Sequence, residues 1–201
     1  MMGLLAVVIA YVIGGIPFGL LIVKARTGED VRASGSGNIG ATNVLRTAGR
    51  SAGVLTLLLD AAKAWLAVWL ADWLTGGSIA WMSSAAMAVL AGHAYSPFLS
   101  FKGGKAVASF IGAFLYLTPV PLAAVLLIFL ILVIRTRYLS LGSVGAAGLF
   151  PAACWMILHP EWPVLAAAFG AAVLIVWRHR ANIERIRAGN ENVFRFGRSE
   201  R

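Results

Sequence analysis

Apolar residues occupy this chain in seven blocks, at roughly residues 3–23, 53–74, 79–95, 106–118, 120–134, 142–158 and 162–177. A helix needs about 20 apolar residues to cross the hydrocarbon core. Several blocks are shorter, so their ends are soft. The first has no basic start, is too long for a signal-peptide core and ends without a small-residue cleavage site, so it is expected to stay in the mature chain. The pattern predicts an all-α integral membrane protein of about seven transmembrane helices. No internal repeat, low-complexity tract or linker divides it, which makes 1–201 a single membrane-embedded domain.

The polar positions between the blocks sharpen that picture. Lys24, Arg26, Arg32, Arg46 and Arg50 lie in the first connection, Lys102 and Lys105 in the third, Arg135 and Arg137 in the fifth, and seven arginines in the tail. The alternate connections, TGGS, TPVP and HPEWP, carry no Lys or Arg. By the positive-inside rule the basic connections and the C-terminus are cytoplasmic and the N-terminus faces out. Removing any one crossing would send later basic loops to the outer face. Seven is therefore favoured, with five the alternative if 106–134 forms a non-crossing hairpin around Pro119 and Pro121. Trp73, Trp81 and Trp162 fall beside the outer loops and Trp177 beside the tail, as an aromatic belt predicts. Gly15 with Gly19, and Gly142, Gly145 and Gly148, offer small faces for close helix packing.

Composition agrees: of 201 residues 60% are hydrophobic and 12% charged, with a mean hydropathy of +0.83. That is more grease than one soluble core can hide. A formal charge of +9 would suggest nucleic acid in a soluble chain. Here it reads as loop charge that sets orientation and attracts anions, with no nucleic-acid partner. A single cysteine, Cys154, excludes an internal disulfide framework and a cysteine zinc cluster.

Three inner segments carry the candidate chemistry. In RASGSGNIGATNVLRTAGR (32–50) the glycines at 35, 37 and 40 allow positive φ, so successive amides can form an anion-binding nest. Ser36, Thr42 and Asn43 add donors, and Arg46 offers a bidentate fork for phosphate. The plain alternative is a polar loop whose arginines only satisfy topology. In GHAYSPFLSFKGGKAVASF (92–110), Lys102 and Lys105 flank Gly103 and Gly104 just before an apolar helix. That layout suits amides, a helix N-terminus and an ammonium around one phosphate. It is not a P-loop, which would need Gly at 99 and Ser or Thr at 106, where this chain has Leu99 and Ala106. Taken alone, these lysines also fit the role of snorkelling interface residues, and His93 that of a helix-end histidine bonded to backbone. In WRHRANIERIRAGNENVF (177–194), Ile183, Ile186 and Val193 suit a membrane surface and the arginines suit anionic lipid. That reading leaves His179, Asn182 and Glu191 unexplained.

Asp60 and Lys63, three apart inside the second block, can pair on one helix face and support the bundle. Arg137, Ser140 and Ser143 in RTRYLSLGS stand at the entry to the sixth block. The remaining inner carboxylates, Glu29, Asp30 and Glu184, are dispersed, so no metal site is expected.

In this order, GSGNIGATNVLR, GHAYSPFLSFKGGKAVA and RHRANIERIRAGNE resemble the three signature motifs of the bacterial acyl-phosphate:glycerol-3-phosphate acyltransferase family. The resemblance extends to GGIPFG (14–19), DAAK (60–63) and RYLSLGS (137–143), nearly the whole chain. Ala106 stands where the family favours glycine, a small-for-small departure. The chain lacks the H-x-x-x-x-D pattern of soluble glycerolipid acyltransferases: Phe98, Val164 and Glu184 follow at the fifth position after His93, His159 and His179.

The resemblance implies acyl transfer from acyl phosphate to the 1-hydroxyl of sn-glycerol 3-phosphate, giving lysophosphatidic acid and inorganic phosphate, the first step of phospholipid synthesis. It implies a multi-pass protein of the bacterial cytoplasmic membrane with its site on the cytoplasmic side. No cofactor and no obligatory protein partner are expected beyond the two substrates and membrane lipid. Ser36, Arg46 and Lys105 are expected at the glycerol phosphate group, with Gly37, Asn38, Gly40, Thr42, Asn43 and His93 around the substrates. Lys102, Gly103, Gly104 and Ser143 are expected at the acyl phosphate. His179 and Asn182 would orient the attacking hydroxyl, and Glu191 would brace the tail. The base is either His179 or a donor phosphate oxygen. A covalent acyl intermediate on Ser36 has no base placed beside it by sequence.

Overall fold

The structure, a computed structural model, describes residues 1–194, so Arg195, Arg198 and Arg201 of the basic tail lie outside the described residues. Among the described residues there are ten α-helices and no strand: α1 (Met2–Gly15), α2 (Phe18–Thr27), α3 (Ala41–Ala48), α4 (Arg50–Thr75), α5 (Ile79–Ala94), α6 (Val107–Leu117), α7 (Pro119–Thr136), α8 (Leu139–Leu158), α9 (Trp162–Arg178) and α10 (Arg180–Arg187). Short 3-10 turns occupy Val31–Ala33 and Pro97–Leu99.

Four stretches are long and apolar enough to cross a membrane: α1 with α2, α4, α7 and α8. The pair α9 and α10, bent by 55°, makes a fifth when the two are counted as one span. Helix α5 has 16 residues and α6 has 11, about 24 and 16 Å at 1.5 Å per residue. Both are shorter than a core of about 30 Å.

The first apolar block is not one straight helix. Pro17 lacks an amide hydrogen, so the ladder breaks between α1 and α2. The two carbonyls at the break are satisfied from elsewhere: Ser96 Oγ donates to Gly15 O at 2.6 Å and Lys63 Nζ donates to Ile16 O at 2.7 Å. With no water in the bilayer core, a broken span requires such donors.

Helix α1 packs on α5 and α4, α4 on α6, α7 on α8, and α9 on both α8 and α5. The centre holds Phe110, Phe114 and Phe150, whose ring centroids are 4.7 to 5.1 Å apart. The closest helix approaches occur at Gly14, Gly92 and Gly112, where any Cβ would run into the backbone of Val89, Tyr11 and Ala61. Of the glycines singled out by sequence, Gly19 meets the Ile39 carbonyl, Gly15 meets Pro97 and Phe98, and Gly142 and Gly145 meet α7 side chains. Gly148 faces open space and belongs to no packed face. Leu4, Val8, Leu58, Trp69, Leu127, Ile131 and Phe169 stand exposed on the outside of the bundle, a surface suited to lipid rather than water. Trp73, Trp162 and Trp177 are exposed as a belt requires, whereas Trp81 is half-buried against Gly3.

Candidate active site

The first and third connections, the start of α8 and the segment after α9 converge on one cavity of about 390 Å³. Its polar end presents Ser36, Thr42, Arg46, Lys105, His179 and Asn182, and its other walls are apolar, with Val54 and Leu57 of α4, Ile111 of α6, and Leu126 and Phe129 of α7. The first turns of α3 and α6 both line it. Free amide hydrogens and the positive dipole ends of two helices therefore favour an anion there.

Asn43 explains the shape of the first loop. It is 2% exposed. Its Oδ1 accepts from Ser36 N at 2.8 Å, and its Nδ2 donates to the carbonyls of Val31, Ser34 and Asn38 at 3.1, 3.1 and 2.9 Å. Both amide hydrogens, one of them shared between carbonyls, are spent on the loop, so Asn43 holds the shape of the loop while lining the cavity. The expected amide nest is largely spent as well: Gly37 N donates to Ser34 O and Gly40 N to Asn38 Oδ1. Gly35 and Gly37 do adopt positive φ, at 62° and 67°, while Gly40 instead precedes α3 at −76°. What remains for a ligand is Ser36 and Thr42, both exposed, and Arg46, which has no partner among the described residues.

The second loop is fastened on both sides. Gly103 N donates to Ala94 O and Gly104 N to His93 O, at 3.2 and 2.9 Å. Arg178 Nη2 donates to Gly103 O at 2.7 Å and Nε to Gly104 O at 2.9 Å, while its guanidinium lies 5.3 Å from the Tyr95 ring centroid. The glycine amides expected at the acyl phosphate are thus taken by the end of α5. His93 and Asp60 both line the main cavity, and the His93 ring also packs against Gly104, where a Cβ would collide with it. Lys105 enters the cavity and donates to Asn182 Oδ1 at 2.5 Å. Burial, opposed by the Glu191 carboxylate and reinforced by Arg185, Arg178 and Arg46, pulls the Lys105 ammonium down to about 8.

The segment after α9 completes the polar end. His179 is buried, and its Nδ1 lies 2.8 Å from Ile175 O. A carbonyl only accepts, so Nδ1 carries the proton and Nε2 is left as an acceptor. Burial, with the Lys105 charge, lowers His179 to about 4, so the ring is neutral at pH 7. Glu191 accepts from Ser140 Oγ at 2.9 Å, Asn182 Nδ2 at 2.6 Å and Arg185 Nε at 2.8 Å. Burial alone would raise this carboxyl, but those hydrogen bonds outweigh it and hold it below the ordinary value. Glu191 thereby ties the tail to α8 and α10. Ser143 reaches the cavity with its hydroxyl donating to Leu139 O.

Lys102 does not join Lys105. It is exposed on a second cavity of about 370 Å³, with Arg32, Gly37, Phe101, Gly103 and Arg178, that shares Ser36 and Asn38 with the first. Arg32 is occupied there by Asp30, at 2.6 Å, and its hydrogen bonds hold the Asp30 carboxyl at about 2. Asp60 and Lys63 pair at 2.7 Å, both buried, as their spacing predicts. Arg178 and Arg185 were not legible as site residues: in the sequence they look like any topological arginine of the tail. Among the described residues no cluster of three or more His, Cys, Asp or Glu could hold a metal ion.

The sequence profile of the family described as Glycerol-3-phosphate acyltransferase matches residues 4–189. The glycerol-3-phosphate acyltransferase of Geotalea daltonii is 44% identical over 186 residues, 92% of this chain and 94% of that protein. Glycerol-3-phosphate acyltransferase 2 of Moorella thermoacetica is 45% identical over 191 residues, 95% of this chain and 97% of that one. Among solved structures, the crystal structure of PlsY (YgiH), an integral membrane glycerol 3-phosphate acyltransferase, in its glycerol 3-phosphate form superposes with a TM-score of 0.91 at 36% identity. It covers 97% of this chain and 96% of that one.

Proposed function

The chain belongs to the glycerol-3-phosphate acyltransferase family, and from that premise we propose that it acylates the 1-hydroxyl of sn-glycerol 3-phosphate with acyl phosphate as donor. The single observation that carries the reading is the mixed character of the main cavity: a cationic end with two helix N-termini opens directly onto an apolar wall. Two phosphate-bearing substrates, one with an acyl chain, need that combination. The acyl chain lies along α4, α6 and α7, and the exposure of Val54 and Leu57 gives it a route from the membrane.

In this reading Arg46 forks the glycerol 3-phosphate group, with Ser36 and Lys105 supplying further donors. Asn182, fixed by Glu191, holds Lys105 in the cavity and leaves the acceptor hydroxyl facing the acyl carbonyl. The hydroxyl oxygen attacks that carbon, the bond from carbon to the phosphate oxygen breaks, and inorganic phosphate leaves. Acyl phosphate is an activated anhydride, so positioning and charge neutralisation carry most of the catalysis. The hydroxyl proton passes either to neutral His179 Nε2 or to a phosphate oxygen of the donor. Near-wild-type kcat in His179→Ala selects the donor phosphate, and a large loss selects the histidine. Lys102, exposed on the neighbouring cavity, acts at longer range by attracting the anionic donor.

For topology we propose seven crossings, with the short α5 and α6 included, the N-terminus outside and the cavity on the cytoplasmic side. Support comes from the basic connections, which meet at one end of the bundle around the cavity. The function is tested by incubating purified protein with glycerol 3-phosphate and acyl phosphate, with acyl-CoA in parallel and EDTA present. Lysophosphatidic acid and phosphate in equal amounts are expected from acyl phosphate alone. Product from acyl-CoA and none from acyl phosphate overturns the donor assignment.

A further inference from the structure

We infer that Lys63, Asp60 and His93 form a positioning network, running from the break in the first span to the glycine pair before Lys105, that sets where the Lys105 ammonium stands. Each group approaches the next, and the longest step, from Asp60 to His93, is a charge contact rather than a hydrogen bond. Lys63 Nζ donates to Ile16 O, the carbonyl at the break just before Pro17, and lies 2.7 Å from Asp60 Oδ1. Asp60 Oδ1 is 3.7 Å from His93 Nδ1, and Ser109 Oγ is 3.2 Å from the same nitrogen. The far edge of the His93 ring, with Nε2, packs against Gly104, whose amide hydrogen bonds back to His93 O. Lys105 is the next residue.

Serine, histidine and aspartate here do not make a hydrolytic triad. Ser109 and Asp60 both approach Nδ1, so no proton could pass through the ring from one to the other. The geometry instead clamps the ring. Hydrogen-bonded to Ser109 on one edge, with the Asp60 carboxylate 3.7 Å away, it presents its other edge to Gly104 beside the main cavity. Arg178 closes the loop from the opposite side through the Gly103 and Gly104 carbonyls.

Capping a broken helix does not require a charge. The neighbouring carbonyl, Gly15 O, is satisfied by the neutral Ser96. A lysine and an aspartate at 5% and 2% exposure carry a desolvation cost that a serine would avoid. The pair gains a reason to exist if Asp60 also fixes His93. The GGIPFG and DAAK segments, both distant from Lys105 in sequence, then act on its position through His93 and one loop, Asp60 and His93 being part of the same cavity wall.

The inference rests on Lys105 binding the glycerol 3-phosphate group, and the test keeps the two apart. In the full chain, Asp60→Asn/Lys63→Met removes both charges and leaves neither ion buried alone. Its KM for glycerol 3-phosphate is expected to rise about tenfold, with the KM for acyl phosphate within about twofold of wild type. A pair serving only bundle stability would lower the active fraction, hence apparent kcat, and leave both KM values unchanged. That result overturns the inference. His93→Gln, outside the ion pair, carries the same expectation and the same overturning result when the double variant fails to accumulate. Lys105→Gln is run beside them: an unchanged KM there overturns the binding reading itself, whereas an unchanged KM only in the network variants overturns the network alone.

Discussion

Lys102 and Lys105 flank the same two glycines, yet the fold gives them different surroundings. Lys105 is drawn into the main cavity, tied to Asn182 and partly stripped of water. Lys102 stands exposed on the other side of the Ser36 and Asn38 wall, without a partner among the described residues. The difference arises at Gly103 and Gly104, whose amides are held by α5 and whose carbonyls are held by Arg178. A loop pinned at those four groups sends successive lysines to opposite faces. Local charge therefore says little about which cation contacts a substrate; the groups fastening the intervening backbone decide it.

The comparison breaks most directly at Lys105. Lys105→Gln is expected to lower kcat/KM for glycerol 3-phosphate by about 10²–10³-fold, as loss of a partly buried charge at an anion site does. Initial rates over a range of glycerol 3-phosphate check it. Arg46→Lys keeps the charge but loses the fork, so KM rises about tenfold with kcat little changed. Unchanged kinetics would remove Arg46 from the site.

The pH profile separates the lysines without mutation. Because Lys105 is lowered to about 8, it is charged at pH 7 and loses its proton as pH rises through about 8. KM for glycerol 3-phosphate should be flat from about pH 7, above the second phosphate pKa of about 6, up to that point and climb above it, and Lys105→Arg should move the climb beyond about pH 10. The smallest effect belongs to Lys102→Gln. A change of about threefold or less is expected, mainly in apparent affinity for acyl phosphate and vanishing at high ionic strength, as screened long-range attraction requires. A salt-independent loss as large as that of Lys105 would erase the distinction.

Much of this architecture was legible in the chain. Hydrophobic blocks located the apolar helices, though not α3 inside the first connection, and the signature motifs, through the family resemblance, singled out Ser36, Arg46, Lys105, His179 and Glu191, which the fold gathers around one cavity or its brace. Three things were not legible, for physical reasons. The break at Pro17 depends on donors 47 and 81 positions away. Asn43 reads as a donor to a ligand, and a sequence does not reveal that a side chain's two amide hydrogens go to its own loop. Arg178 matched every other tail arginine in composition, and only its geometry sets it against the Gly103 and Gly104 carbonyls.

Equilibrium binding of labelled glycerol 3-phosphate to the purified full chain, without donor at pH 7, tests the central claim most directly. Wild type and Lys102→Gln should bind with similar affinity, and Lys105→Gln should bind at least about tenfold more weakly. Equal binding by all three proteins would contradict it.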